Sequence, residues 1–162
     1  MTLAERRRYL IASQKKKNWF DFSKVTTGAQ SSNYNNTSDK YGGVSGDKYI
    51  AVMGLAGTGI LLKDSRTTLP KGDYVLRFTV YAPTADGIFY SIKKYISSTN
   101  MPIIVNSGYK YDLKAKTYTD YTLTFSLEEK TTVVIGLQGI GSASNYSSLN
   151  YKFTNIRIEK VG

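Results

Sequence analysis

The sequence predicts an antiparallel all-β sandwich behind a short basic helix, and three observations carry that prediction. Two segments alternate apolar and polar residues with a period of two. Tyr74, Leu76, Phe78 and Val80 alternate with Val75, Arg77, Thr79 and Tyr81, and Tyr121, Leu123, Phe125 and Leu127 with Thr122, Thr124 and Ser126. That period gives each strand one buried face and one wet face. Turn chemistry separates such runs, at Leu69-Pro70-Lys71-Gly72-Asp73, Ala82-Pro83-Thr84-Ala85-Asp86-Gly87 and Glu128-Glu129-Lys130. Basic residues crowd the start: residues 1–24 hold seven Arg and Lys against two acidic residues, half of the net charge of +10.

Taken in order, Thr2-Leu3-Ala4-Glu5 is a capping box, in which hydroxyl and carboxylate satisfy each other's backbone amides. It opens a helix expected over 2–14, with Leu3, Leu10 and Ile11 on one side and Arg6, Arg7 and Arg8 opposite. So short and charged a helix is marginal in water and is expected to dock on something. Asn18 to Lys24 leads into the domain, with Trp19, Phe20 and Phe22 packed on the sandwich. Residues 26–47, rich in Ser, Thr, Asn, Gly and Tyr, read as irregular. Strands are expected near 48–56, 58–63, 73–82, 88–96, 102–106, 109–113, 117–127, 131–139 and 149–160. In the last, the apolar phase slips between Tyr151/Phe153 and Ile156/Ile158, so a bulge is expected near Thr154-Asn155. Val52-Met53-Gly54-Leu55-Ala56-Gly57-Thr58-Gly59 echoes Val134-Ile135-Gly136-Leu137-Gln138-Gly139-Ile140-Gly141, as two glycine-containing strands close in one sheet would. The organisation is an arm, 1–17, and a sandwich, 18–162.

Composition removes much chemistry. The 162 residues fit one domain and include no Cys and no His. A disulfide framework, a thiolate nucleophile, a zinc-thiolate site and a Ser-His-Asp triad are therefore excluded. A carboxylate glycosidase survives that cut, since it needs two acids facing one another. Glu128 and Glu129 lie in a turn, however, and Asp39 and Asp47 lie in polar loop sequence, where Asx turns or a structural calcium would use them. Neither Gly-x-x-Gly-x-Gly segment is followed by a helical pattern or a Lys-Ser/Thr pair, so neither is a phosphate cradle. The expectation is a binding and assembly protein, not an enzyme, with no catalytic residue, cofactor or metal. Apolar runs are as short as Ile60-Leu61-Leu62, too short for membrane insertion. The basic start lacks the apolar stretch of a secretory signal.

Binding residues are sought in the arm and among the aromatics. Leu3, Arg6, Arg7, Arg8, Leu10, Ile11, Lys15, Lys16 and Lys17 are the candidate anchoring set, calling for an acidic partner surface. No reader motif points to sequence-specific nucleic acid. The chain has 14 Tyr, 6 Phe and 1 Trp, and Tyr34, Tyr41, Tyr81, Tyr90, Tyr95, Tyr109, Tyr118 and Tyr146 sit among polar neighbours. A tyrosine offers a flat apolar ring and one hydroxyl, which suits sugars and interfaces, although β-propensity alone also places Tyr on wet sheet faces. Tyr34, Tyr41, Tyr81, Tyr90, Tyr95 and Tyr146 form the candidate glycan or interface set.

The Arg-Arg-Arg…Lys-Lys-Lys header running into Asn-Trp-Phe-Asp-Phe-Ser-Lys-Val-Thr-Thr-Gly resembles the start of small bacteriophage virion proteins that carry a carbohydrate-binding-module-like jelly roll. The closing Tyr-Lys-Phe-Thr-Asn-Ile-Arg-Ile-Glu-Lys is similar to the last strand of such sandwiches. The resemblance covers both ends of the chain. It implies a virion structural protein on the particle surface, such as a capsid decoration protein, head fibre or tail component. The arm would bind other virion proteins (capsid, portal or tail), and the outward sandwich would touch cell-surface glycans. The alternative is a free, lectin-like carbohydrate-binding module.

Overall fold

The capping box forms as its residues require. In the computed structural model, Thr2 N donates to Glu5 Oε2 at 2.7 Å and Glu5 N donates to Thr2 Oγ1 at 3.1 Å. The helix that follows, α1 (Leu3–Ser13), stops one residue short of expectation at each end. The structure describes residues 1–13, 16–30, 33–37, 42–54, 60–84, 86–101, 104–140 and 150–161, with backbone alone at 9–13, 30, 33–37, 51–54, 60, 104 and 150.

The chain joins the body at Lys16–Phe20. Trp19 N donates to Ile158 O at 2.8 Å, and Asn18 Oδ1 accepts from both Phe20 N and Ile158 N, each at 3.0 Å. Arg157 Nη2 donates to Lys16 O at 3.2 Å. Phe20 is buried, and Trp19 and Phe22 pack half-buried against the core. Asp21 then caps a single 3-10 turn, Phe22–Lys24, by accepting from Ser23 N.

Twelve strands follow among the described residues: β1 (Gly28–Gln30), β2 (Asn33–Thr37), β3 (Gly42–Ser45), β4 (Lys48–Gly54), β5 (Ile60–Leu62), β6 (Thr67–Leu69), β7 (Gly72–Ala82), β8 (Ile88–Lys94), β9 (Ile104–Lys110), β10 (Thr117–Leu127), β11 (Thr131–Ile140) and β12 (Asn150–Val161). They form two sheets of a sandwich. Sheet I runs β10-β7-β12-β4-β3, antiparallel throughout. Sheet II is built on β11, which pairs antiparallel with β8 along one side and with β6 and β5 along the other. Beyond these, β9 pairs with β8, and β1 links β5 to β2. At one corner β4 also pairs with β11, in parallel, through Gly139↔Met53 and Ile140↔Gly54. The two echoing glycine segments are thus neighbours, and their pairing ties the sheets together.

The period-two runs face as the alternation demands. Tyr74, Leu76, Phe78, Val80, Leu123, Phe125, Val133 and Ile135 are all buried, and so are Tyr49, Tyr151 and Phe153. Their rings interlock across strands: Tyr74 stacks on Phe125 at 5.4 Å, and Phe78 meets Tyr121 at 5.7 Å and Phe153 at 5.9 Å. Burial pushes the Tyr49 phenol far above its ordinary pKa. The outer face of sheet I is polar: Arg77 and Arg157 both reach Glu159, at 3.7 and 3.0 Å, and Thr79 donates to Asp120 at 2.6 Å. The bulge falls where the phase slip put it. The β12–β7 register shifts between Thr154 and Arg157, with Asn155 at φ 53, a left-handed conformation that Asn tolerates better than most residues.

Three expectations are corrected. Residues 26–47 are not irregular throughout, since β1, β2 and β3 lie there. They lack apolar periodicity because partners supply the order: β3 forms a hairpin with β4 across Gly46-Asp47, and β1 takes its bonds from β5. The strands expected at 102–106 and 109–113 are instead the single β9. Asn106-Ser107-Gly108 looks like a turn, yet Gly108 is there because the Tyr90 ring crosses it. A Cβ on Gly108 would sit 2.9 Å from the Tyr90 hydroxyl. The short β6 was not expected; its register comes from β11 alone.

Candidate functional site

Every side chain from Met1 to Arg8 is exposed, Leu3 at 87%. Leu3, Arg6, Arg7 and Arg8 are therefore presented to solvent. The side chains of Leu10 and Ile11, and all of Lys15, lie outside the described residues. Two members of the anchoring set, both with exposed side chains, make contacts with the protein itself. Lys17 holds its ammonium 3.6 Å from the centroid of the Trp19 ring, and Lys16, with an exposed side chain, gives its carbonyl to Arg157. Arg157 projects from the outer face of sheet I, between the inward Ile156 and Ile158.

The candidate tyrosines do not gather. Tyr90 is 9% exposed and belongs to the core, in phase with buried Ile88 and Ile92, so it is not on a wet face. Tyr95 is half-buried against a small apolar cluster of Ala29, Leu61, Met101 and Val134. Arg66 covers its ring at 4.7 Å and donates to its hydroxyl at 2.9 Å. Tyr81 lies on the outer face of sheet I. The side chain of Tyr34, and all of Tyr41 and Tyr146, lie outside the described residues, as does Asp39.

A different aromatic group does assemble, on the outer face of sheet II. Phe89 alternates with the inward Ile88 and Tyr90, and so points outward from β8. Its register partner on β9 is Tyr109, with ring centroids 4.9 Å apart. Tyr111, two residues on and therefore on the same side, lies 5.9 Å from Tyr109 with ring planes within 10° of parallel. Gly87 makes the seat for Tyr111, because a Cβ there would stand 2.9 Å from the ring. Tyr109 and Tyr111 are 41% and 63% exposed, so this pair with half-buried Phe89 is an accessible aromatic surface. Further along the same face of β8, Ser91 is buried with its hydroxyl unpartnered, and desolvation lowers the Lys93 pKa below its ordinary value.

The strand expected at 109–113 already places Tyr109 and Tyr111 on one face, and what the sequence could not supply is the β8–β9 register that sets Tyr109 opposite Phe89. Phe89, out of phase with the inward Tyr90 and Ile92, stands beside them.

No protein-family model matches the chain, and no curated protein sequence matches it. Solved structures do match in fold. The xylan-binding module CBM15 superposes with a TM-score of 0.57 at 14% identity, covering 91% of this chain and 98% of that one. A putative sugar binding protein from Bacteroides thetaiotaomicron gives 0.55 at 12% identity, over 90% and 100% of the two chains. The N-terminal cellulose-binding domain of Cellulomonas fimi β-1,4-glucanase C gives 0.52 at 11%, over 92% and 99%. The body is a sandwich of the carbohydrate-binding-module type. The virion half of the resemblance has no counterpart in these three.

Proposed function

We propose that the protein is a non-catalytic glycan-binding sandwich, held on a larger assembly by its N-terminal arm. The observation that carries this reading is the exposed Phe89–Tyr109–Tyr111 surface on the outer face of sheet II, in a fold shared with sugar-binding proteins. Aromatic rings stack on the apolar C–H faces of pyranoses and gain from burying their area. The lack of His and Cys argues against an added catalytic function. The test is affinity electrophoresis of the full chain in gels containing xylan, hydroxyethylcellulose or β-glucan. Retardation by one of these, weakened about ten-fold in Tyr109→Ala and Tyr111→Ala, is the expected result. Unretarded migration in all three, or retardation indifferent to both substitutions, would reject the reading.

The assembly we propose is a bacteriophage particle, with the protein as a surface component. The support is the basic header and its exposed capped helix. Co-sedimentation with particles tests it: deleting residues 1–15 should abolish particle association and leave the sandwich folded. Particle association without the arm would make the sandwich the anchor.

A further inference from the structure

Sheet I carries an aromatic row of its own. Tyr118, Tyr81 and Lys152 stand opposite one another on β10, β7 and β12. All three point outward, since Val80, Ala82, Tyr151 and Phe153 beside them are buried. The Tyr118 and Tyr81 rings lie 5.1 Å apart, tilted by 56°, and the Lys152 ammonium is 5.4 Å from the Tyr81 centroid. Tyr118 is 58% exposed. The row continues over half-buried Ile50 on β4 to Gly43 on β3, above which a Cβ would meet nothing within 4 Å. Its floor is therefore low on one side and walled by a ring on the other.

The charges along this row are unbalanced. Lys152 has no carboxylate within ion-pair reach among the described residues. Asp120, the acid nearest to it in register on that face, already accepts from Thr79. The cation is held against a ring face, an arrangement that keeps it in place without neutralising it.

We infer that Tyr118, Tyr81 and Lys152 form a second saccharide site, for sugars that bear an anionic group. A pyranose ring packs on Tyr118 and Tyr81, and its carboxylate or sulfate meets the Lys152 ammonium. Two strand spacings separate Tyr118 from Lys152, about 10 Å, which suits a short oligosaccharide. The inference does not rest on the sheet II surface, which lies on the opposite side of the sandwich.

The experiment is calorimetric titration of the full chain with three trisaccharides: trigalacturonate, a sulfated galactotriose and neutral galactotriose. An anionic trisaccharide should bind at least about ten-fold more tightly than the neutral one. Tyr118→Ala and Lys152→Gln should each lose about ten-fold. Lys130→Gln, in the turn at the far end of β10, removes an equal charge and should change binding less than two-fold. Repeating the titrations with Tyr109→Ala and Tyr111→Ala both present removes any sheet II contribution, so an anionic preference that persists there, and is lost with Tyr118→Ala or Lys152→Gln, belongs to this site and not to the sheet II reading. Binding of trigalacturonate alone, or of the sulfated sugar alone, with the same dependence on Tyr118 and Lys152, identifies the anionic group. Equal losses in Lys152→Gln and Lys130→Gln, no loss in Tyr118→Ala, or equal affinity for the neutral sugar would overturn the inference.

Discussion

Gly139→Ala is the most exacting perturbation of this fold, because it adds one methyl group at the corner where the sheets meet. Gly139 pairs with Ile88 on β8 and, in parallel, with Met53 on β4. A Cβ there would collide with three atoms of the Tyr151 ring, Cγ at 2.8 Å and two others closer still. Carbon atoms settle at about 3.5–4.0 Å, so the nearest ring atoms must retreat by more than about 1 Å. It has little room. Tyr151 is fully buried, its hydroxyl is 3.1 Å from Thr84 Oγ1, and burial pushes its pKa up. Overpacking of this kind costs about 1–3 kcal/mol, against which loss of glycine freedom in the unfolded chain returns about 0.4–1 kcal/mol. A net loss of about 1–2 kcal/mol corresponds to about 2–8 °C in Tm for a chain of this length. Thermal and urea unfolding followed by circular dichroism measure it. Gly43→Ala, with open space around the new methyl, should stay within about 0.5 kcal/mol of the parent. Adding Tyr151→Leu should make the Gly139→Ala step cheaper, which a double-mutant cycle reads directly. A Gly139→Ala protein as stable as the parent, with unchanged urea dependence, would show that the Tyr151 ring is not the limit on approach at this corner.

Phe125→Ala removes a ring stacked on Tyr74 and should cost about 3–5 kcal/mol in urea unfolding. Tyr121→Phe should alter stability in a pH-dependent way. The Tyr121 hydroxyl donates to Asp112 Oδ1 at 2.6 Å, and that bond holds the Asp112 carboxyl below its ordinary pKa. A carboxylate depressed in the folded state stabilises above its unfolded pKa, about 3.9, and that contribution is lost as the pH falls through its lower folded value. The difference between Tyr121→Phe and parent should therefore be present at neutral pH and shrink on acidification in that window; a constant difference would mean that the Tyr121 hydroxyl does not hold the Asp112 carboxyl down. Removing residues 1–15 spares the Lys16 carbonyl and Lys17, so circular dichroism and Tm of the body should be unchanged, whereas removing 1–17 should lower Tm by taking the Arg157 and Trp19 contacts as well.

Local pattern in the sequence determined which face each long strand buries. Alternation over 74–80 and 121–127 assigns residues to the core without reference to any partner, because a pleated strand turns its side chains to opposite sides in turn. The capping box and the phase slip at Thr154-Asn155 are equally local, and both stand in the structure as read. Tertiary structure decided what lies side by side. Tyr90 reads as a surface tyrosine by its polar neighbours, but its phase with Ile88 and Ile92 and its packing over Gly108 put it in the core. Phe89 and Tyr109 meet because β8 and β9 pair in one register, and Tyr118, Tyr81 and Lys152 because three strands distant in sequence do. Lys17 reads as a free cation of the arm until Trp19 folds beneath it. Periodicity reports the direction of a side chain from its own backbone. Neighbours across a sheet depend on strand register, which is set by the summed packing of the whole core, so a surface made of several strands exists only once the fold does.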